Sequence, residues 1–404
     1  VSYDGFQNGG YAFNMLNNGT FFNGGLPGLG YDEDDEVGSP YVRKKAGLPP
    51  KDEEEIKQDD PEGILNLKAG KAVDLFSLDL TVSTEGDQTV ISHGDLVKQW
   101  KENGRNYFHY VQNAPGMYQP FGMISARYAD KKDSIKLDHQ INIDVYYEPE
   151  HAENVDRYVQ ACKDGLKHYS AVYGKYPFNN IRVVETSNYA PREGAMTSAL
   201  TYAEYYGWNA HFTNPNQYDY LYNNAERNLS QQWWRFQTAP NSTVGSMIIP
   251  EGIPAYDAMV MNERKYGKAN MRNIVLDPLW YYLFIRRHMN KPENVMLKAD
   301  EASEYSSKFS VAMYGLRQLI GEDTLDKALR EFKDAYAFKR TGPFAGANNL
   351  YSILQKHTPD SLRYYLTDTW EKIALYDNKI ISARVKPTSN KDEYQVQLKF
   401  NISK

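Results

Sequence analysis

Arg227-Asn228-Leu229-Ser230-Gln231-Gln232-Trp233-Trp234, followed by Pro250-Glu251-Gly252-Ile253-Pro254-Ala255-Tyr256, is the part of the chain on which the fold turns. The first stretch lies in a predicted helix over 219–237. Residues 227 and 231 are four apart, so they share one face of that helix. Trp233-Trp234 taken alone is core packing, and Glu-Gly after a proline taken alone is a helix start. Two more segments stand in a fixed order around these. Gly194-Ala195-Met196-Thr197-Ser198 lies upstream, just after a strand. Tyr305-Ser306-Ser307-Lys308 lies downstream, opening a helix that leads to Ile320-Gly321-Glu322-Asp323. Each segment is weak evidence singly; their order and separations carry the weight.

Outward from this centre, residues 218–375 read as mainly helical. Val155, Tyr158, Val159, Cys162, Leu166 and Tyr169 recur at helical spacing behind Pro149. Cys162 lies on that apolar stripe and reads as a buried structural thiol. Ile181-Arg182-Val183-Val184 reads as a strand. Leu279–Ile285, bounded by Asp277 and Arg286, is the longest approach to an apolar run and reads as a buried helix; it is too short to span a bilayer. Before residue 148 the period is two. Leu78, Leu80 and Val82 alternate with polar residues, and Ile135, Leu137, Ile141, Ile143, Val145 and Tyr147 fall on one face of a long strand. The expected organisation is α+β: an antiparallel β domain over 1–148 with a loop-rich start (1–70), a mainly helical domain over 149–375, and the first strands of a further β module over 376–404.

Composition narrows the function. At 404 residues with 41% hydrophobic content and 33 tyrosines the chain can bury sizeable cores in two or three domains. A net charge of −6 argues against a nucleic-acid partner. One cysteine allows no intrachain disulfide. The acidic runs Asp32–Glu36 and Asp52–Glu55 lack the spacing of a calcium loop and read as solvated surface. Val1 opens mid-stream and the last β segment stops at Lys404, which is expected of a piece of a longer protein.

The four segments together resemble the M1 family of zinc aminopeptidases. In that family a helix carries H-E-x-x-H-Q-W-W, and a glutamate about twenty residues later completes the zinc ligands. The two histidines present their nitrogens to one tetrahedral zinc, and the glutamate beside the first activates the zinc-bound water. The resemblance implies a thermolysin-like mixed α/β and helical peptidase domain over 149–375. Anchored on Gln232-Trp233-Trp234, it places Arg227 and Gln231 at the two histidine positions, Asn228 at the general base and Glu251 at the third ligand. Thr197 stands where the G-A-M-E-N motif has the glutamate that holds the substrate's amino terminus. Ser306 stands where the Y-x-K-G motif has the oxyanion-stabilising tyrosine, with Tyr305 one step away; Lys308 is retained and Phe309 replaces the glycine.

Arginine cannot ligate zinc, a glutamine amide is a poor ligand, and asparagine is not a base at neutral pH. No zinc or other cofactor is therefore expected, and Arg227 and Glu251 are placed to pair. The eight histidines show no H-x-x-x-H spacing. Glu226 with Glu251 would offer two carboxylates, a set suited to calcium or magnesium rather than zinc.

Further strings, Asn17-Asn18-Gly19-Thr20-Phe21-Phe22, Arg43-Lys44-Lys45-Ala46-Gly47-Leu48-Pro49, Asn103-Gly104-Arg105-Asn106-Tyr107-Phe108-His109-Tyr110, Ser125-Ala126-Arg127-Tyr128 and Ala374-Leu375-Tyr376-Asp377, are similar to the M1-like domains fused to bacterial ABC-2-type transporter permeases. This closer resemblance implies an extracytoplasmic (periplasmic-side) domain of a membrane protein. Its partners would be its own transmembrane permease region and an ABC transporter ATPase subunit. Members of that group usually retain H-E-x-x-H, so their hydrolysis is not carried over to this chain. The reading that follows is a catalytically inactive peptidase-like domain that binds a peptide or protein, or braces the transporter. An active metallopeptidase with a rearranged site and a purely structural domain are the alternatives.

Overall fold

The computed structural model describes residues 15–16, 19–23, 37, 39–49, 56–67, 77–113, 122–187, 194–212, 218–289, 291–375, 377–390 and 392–403. Both acidic runs lie outside the described residues. The N-terminal part contains β1 (Met15–Leu16), β2 (Gly19–Asn23), the short helix α1 (Pro40–Lys45), β3 (Leu78–Glu85), β4 (Thr89–Ser92), β5 (Asp95–Glu102), β6 (Arg105–Gln112), β7 (Gly122–Ala126), β8 (Ala129–Lys136) and β9 (Gln140–Tyr147). Then come α2 (Val155–Tyr173), β10 (Asn180–Thr186), β11 (Gly194–Met196), β12 (Ala199–Ala203), α3 (Tyr220–Trp234), α4 (Gly252–Tyr266), α5 (Met271–His288), α6 (Phe309–Ile320), α7 (Glu322–Tyr336), α8 (Ala347–His357) and α9 (Arg363–Leu366). The described chain closes with β13 (Asp377–Pro387) and β14 (Tyr394–Ser403). None of the described helices is long and apolar enough to cross a membrane.

The strands form sheets in the orders β1-β2-β7-β4, β3-β6-β5, β11-β12-β10-β9-β8 and β13-β14. The five-stranded sheet organises the molecule. It is mixed: β9, β10 and β12 run parallel, and the edge strands β8 and β11 run antiparallel. Strands covered on both faces lose the alternating pattern, and every residue of β10 and of β12 is buried. One face, through Ile141, Ile143, Val145, Ile181, Val183 and Leu200, joins the main core with α2, α3, α4, α6, α7 and α8. The other face, through Tyr146, Val184 and Ala199, packs on Phe21, Ile91, Ile124 and Ala126 of the N-terminal sheet. The apolar stripe of α2 is buried throughout, Cys162 included, and burial pushes its thiol pKa up.

Three expectations need correction. The long strand over 135–147 is a hairpin, β8–β9, turning at 137–139. Ile135 pairs with Ile141, so odd-numbered residues stay on one face in both strands and the alternation runs unbroken through the turn. Residue 148 does not separate two sheets: β9 lies beside β10 in parallel, with α2 as the crossover between them. The change of period marks a change of element, and a β-α-β unit has one at each end of its helix. Of the run Leu279–Ile285 only Tyr282 is buried. In α5 the buried residues are Met271, Ile274 and Tyr282, while Trp280 is 64% exposed. Seven consecutive apolar residues cover almost two helical turns and so face every direction, and α5 packs along only one side.

Candidate functional site

The site lies where α3 meets the start of α4. Helix α3 is capped by Asp219, whose side chain accepts from Tyr222 N. Its buried side is unusually polar, holding Glu226, Asn228, Ser230, Gln231 and Gln232. Most of these are satisfied by neighbouring elements. Ser230 Oγ donates to Asp257 Oδ2 at 2.5 Å. Gln232 clasps the β11–β12 turn, accepting from Ser198 N at 2.8 Å and donating to Met196 O at 3.0 Å.

Glu251 is the residue on which the site converges. It occupies the N-cap of α4, yet its side chain caps nothing in that helix and turns toward α3. Arg227 Nη2 donates to Glu251 Oε2 at 2.9 Å. Gln231 Nε2 donates to Glu251 Oε1 and to Pro250 O, both at 3.3 Å. Arg235 Nη2 donates to Glu251 Oε1 as well. Arg227, Gln231 and Arg235 are four residues apart, a ladder along one helix face. The N-terminal end of α4 adds a favourable field for the carboxylate. The Glu251 side chain is 16% exposed, and those of Arg227 and Arg235 are 32% and 28% exposed, so solvent reaches the cluster and it does not lie in a sealed core.

Tyr305 and Ser306 sit in a π-helical turn, Ser303–Lys308, that leads into α6. Tyr305 is the one electrostatically tied to the cluster. Burial raises its phenol pKa, Glu251 pushes it the same way, and Arg227 and Arg235 oppose. Ser306 is buried. Gly252 lets this turn approach: a Cβ there would stand 2.4 Å from Tyr305 O and 2.7 Å from the Phe309 ring. Lys308 is turned away, 3.7 Å from Glu293 Oε2 and over the Tyr282 ring; burial lowers its pKa, and Glu293 resists.

Thr197 does not join the cluster. Its buried hydroxyl lies 3.0 Å from His93 Nδ1 and donates to Gln112 Oε1 at 2.5 Å, toward the N-terminal sheets. Glu226 does not reach Glu251 either, which corrects the two-carboxylate possibility. It is fully buried on the α2 side of α3, where a Cβ on Gly165 would stand 2.4 Å from its Oε2. That burial raises its pKa well above the usual carboxylate range. Arg235 was missed in the sequence because it follows the Trp233-Trp234 anchor; its spacing of eight from Arg227 was the available signal.

The residues do not suit zinc. Both oxygens of Glu251 already accept hydrogen bonds from guanidinium groups, Arg227 brings a permanent positive charge, and Gln231 offers an amide. Among the described residues no group of three or more His, Cys, Asp or Glu is placed to hold a metal ion.

No protein-family model and no curated protein matches the chain. Solved structures do. The chain is similar to aminopeptidase A of Legionella pneumophila, solved in complex with aspartic acid, with a TM-score of 0.57 and 12% identity, covering 81% of this chain and 38% of that one. It is also similar to a mutant M1 zinc metallopeptidase from Deinococcus radiodurans, with a TM-score of 0.55 and 13% identity, covering 75% of this chain and 65% of that one. At such identity the likeness is one of fold: the chain has the M1 peptidase-like α+β fold. It spans less than two thirds of the length of either neighbour.

Proposed function

We propose that this chain is a catalytically inactive, M1 peptidase-like domain that binds a peptide or protein in its cleft without cleaving it. We further propose that it works outside the cytoplasm as part of an ABC transporter permease, alongside that protein's membrane-spanning region and an ATPase subunit. The observation that carries the first reading is the occupation of Glu251. In the register of the zinc motif this is the third ligand, and here its two oxygens accept from Arg227, Gln231 and Arg235. A hydrolytic water needs a metal or a base to activate it. Asn228 supplies no base, and the neighbouring charges favour anions over cations. Support for the transporter context comes from the strings quoted above at 17–22, 43–49, 103–110, 125–128 and 374–377.

The test is the metal content of the purified protein by plasma mass spectrometry, before and after incubation with zinc, with an aminopeptidase assay on the same samples. Substoichiometric zinc and no turnover are expected. One tightly held equivalent of zinc, or peptide cleavage that disappears in Glu251→Ala, would overturn the reading.

A further inference from the structure

The charges gathered at Glu251 do not cancel. Arg227 and Arg235 are both permanently cationic, and Glu251 is the one acidic partner of each among the described residues. Two guanidiniums therefore share one carboxylate among the described residues. Donors are left over as well. Arg235 Nε is buried with no hydrogen-bond acceptor, and so is Asn228 Nδ2. Asn228 is itself only 7% exposed. At roughly 100° and 1.5 Å per residue it lies about 20° round the helix axis from Arg235 and about 10 Å along it, so it is a separate unpaired donor on that side of α3. Two guanidiniums that share one carboxylate and stay partly open to solvent can take a second anionic acceptor.

We propose that the Arg227–Arg235 pair binds a carboxylate of the peptide ligand. This rests on the ligand-binding reading above and names the chemistry by which the cleft would choose. A guanidinium offers a planar fork that matches a carboxylate two bonds at a time, and this pair already holds the carboxylate of Glu251. The ligand's carboxylate shares those guanidiniums from the solvent side, where about a third of each arginine side chain remains open. The cleft therefore selects the acidic end or an acidic side chain of a peptide. A free amino group would meet two cations.

The experiment is equilibrium dialysis of the intact chain against three mixtures of N-acetylated tetrapeptides, quantified by mass spectrometry. The first contains neutral side chains and a free C-terminal carboxylate, the second is its C-terminal amide, and the third is the amide with one aspartate. Retention of the free acids at least ten-fold above the neutral amides is expected, with the difference abolished in Arg235→Gln and in Arg227→Gln. Retention of the first mixture alone identifies the C-terminal carboxylate as the ligand group; retention of the first and third identifies any peptide carboxylate. Glu251→Gln keeps the shape and removes the competing charge, so it should bind the acids more tightly than wild type; this readout does not depend on the arginine variants folding. Equal retention of acids and amides by the wild type, or no gain in Glu251→Gln, would overturn the proposal. Zinc uptake with cleavage of unblocked peptides would instead overturn the inactive-peptidase reading, and it is read separately from the metal content of the same samples.

Discussion

Removing Glu251 leaves two like charges facing each other, and the cost can be bounded from their exposure. Fully exposed ion pairs contribute about 0.2–1 kcal/mol, whereas breaking a buried pair costs about 3–5 kcal/mol. Here the carboxylate is 16% exposed and the guanidiniums 32% and 28%. Water can therefore take over part of what Glu251 supplies. We place Glu251→Ala between the limits, at about 1–2 kcal/mol of destabilisation. For domains of 150–250 residues each kcal/mol moves Tm by about 2–4 °C, so a fall of roughly 2–8 °C is expected by scanning calorimetry. The salt dependence is the sharper signature. The screening length shrinks from about 10 Å at 0.1 M salt to about 3 Å at 1 M. The Arg227–Arg235 repulsion left in the variant is thus screened, and its deficit against wild type should narrow as salt is added. Were Glu251 a vacant metal ligand, its removal would relieve charge and raise stability in metal-free buffer. A variant that melts with or above the wild type at low salt would refute the arrangement described here.

Other outcomes follow from the same geometry. Gly252→Ala places a methyl 2.4 Å from Tyr305 O, so a loss of about 1–3 kcal/mol is expected from overpacking, measured by thermal melting. Asp257 accepts from Tyr173, Ser230 and Trp234, yet burial dominates and raises its pKa from 3.8 to about 7. The unfolded chain ionises first, so the stability this group contributes is full below its unfolded pKa and is lost as pH rises through about 7. The Tm of wild type should accordingly fall relative to Asp257→Asn between about pH 5 and pH 8, and parallel profiles would refute this role. Finally, Arg227→His with Asn228→Glu, Gln231→His and Arg235→Ala restores two imidazoles, a base and a free Glu251. Uptake of about one equivalent of zinc is expected by plasma mass spectrometry, and none would show that the register is wrong.

Much of the architecture could be read from the sequence, because it rests on burial periodicity. The stripe from Val155 to Tyr169 gave the helix that packs on the central sheet, and the β-branched run at 181–184 gave that sheet's fully buried strand. The failures share one cause: periodicity reports which side of an element is covered, and not by what. Ile135 and Ile141 kept their parity through a three-residue turn and so concealed a hairpin. The second sheet partner of β9, β10, lies beyond a whole helix, a distance over which local pattern carries no information. The apolar run in α5 gave no sign of which neighbours would cover it.

The candidate site was legible to the extent that charge is legible. Arg227 and Glu251 have opposite signs and were expected to meet on the strength of the motif's register, and they lie 2.9 Å apart. Thr197 and Ser306 were named by position alone, with no charge to bring them to the cluster, and Thr197 turns its hydroxyl to His93 and Gln112. Arg235 carries the same charge as Arg227 and lies on the same helix face, but it stands outside the zinc motif, which ends at Trp234. Its presence changes the chemistry of the site. With Arg227 alone the pair is neutral; with both arginines, two guanidiniums share one carboxylate and stay partly open to solvent. That surplus is what the proposed carboxylate ligand would read, and a site that had only been shut would not carry it.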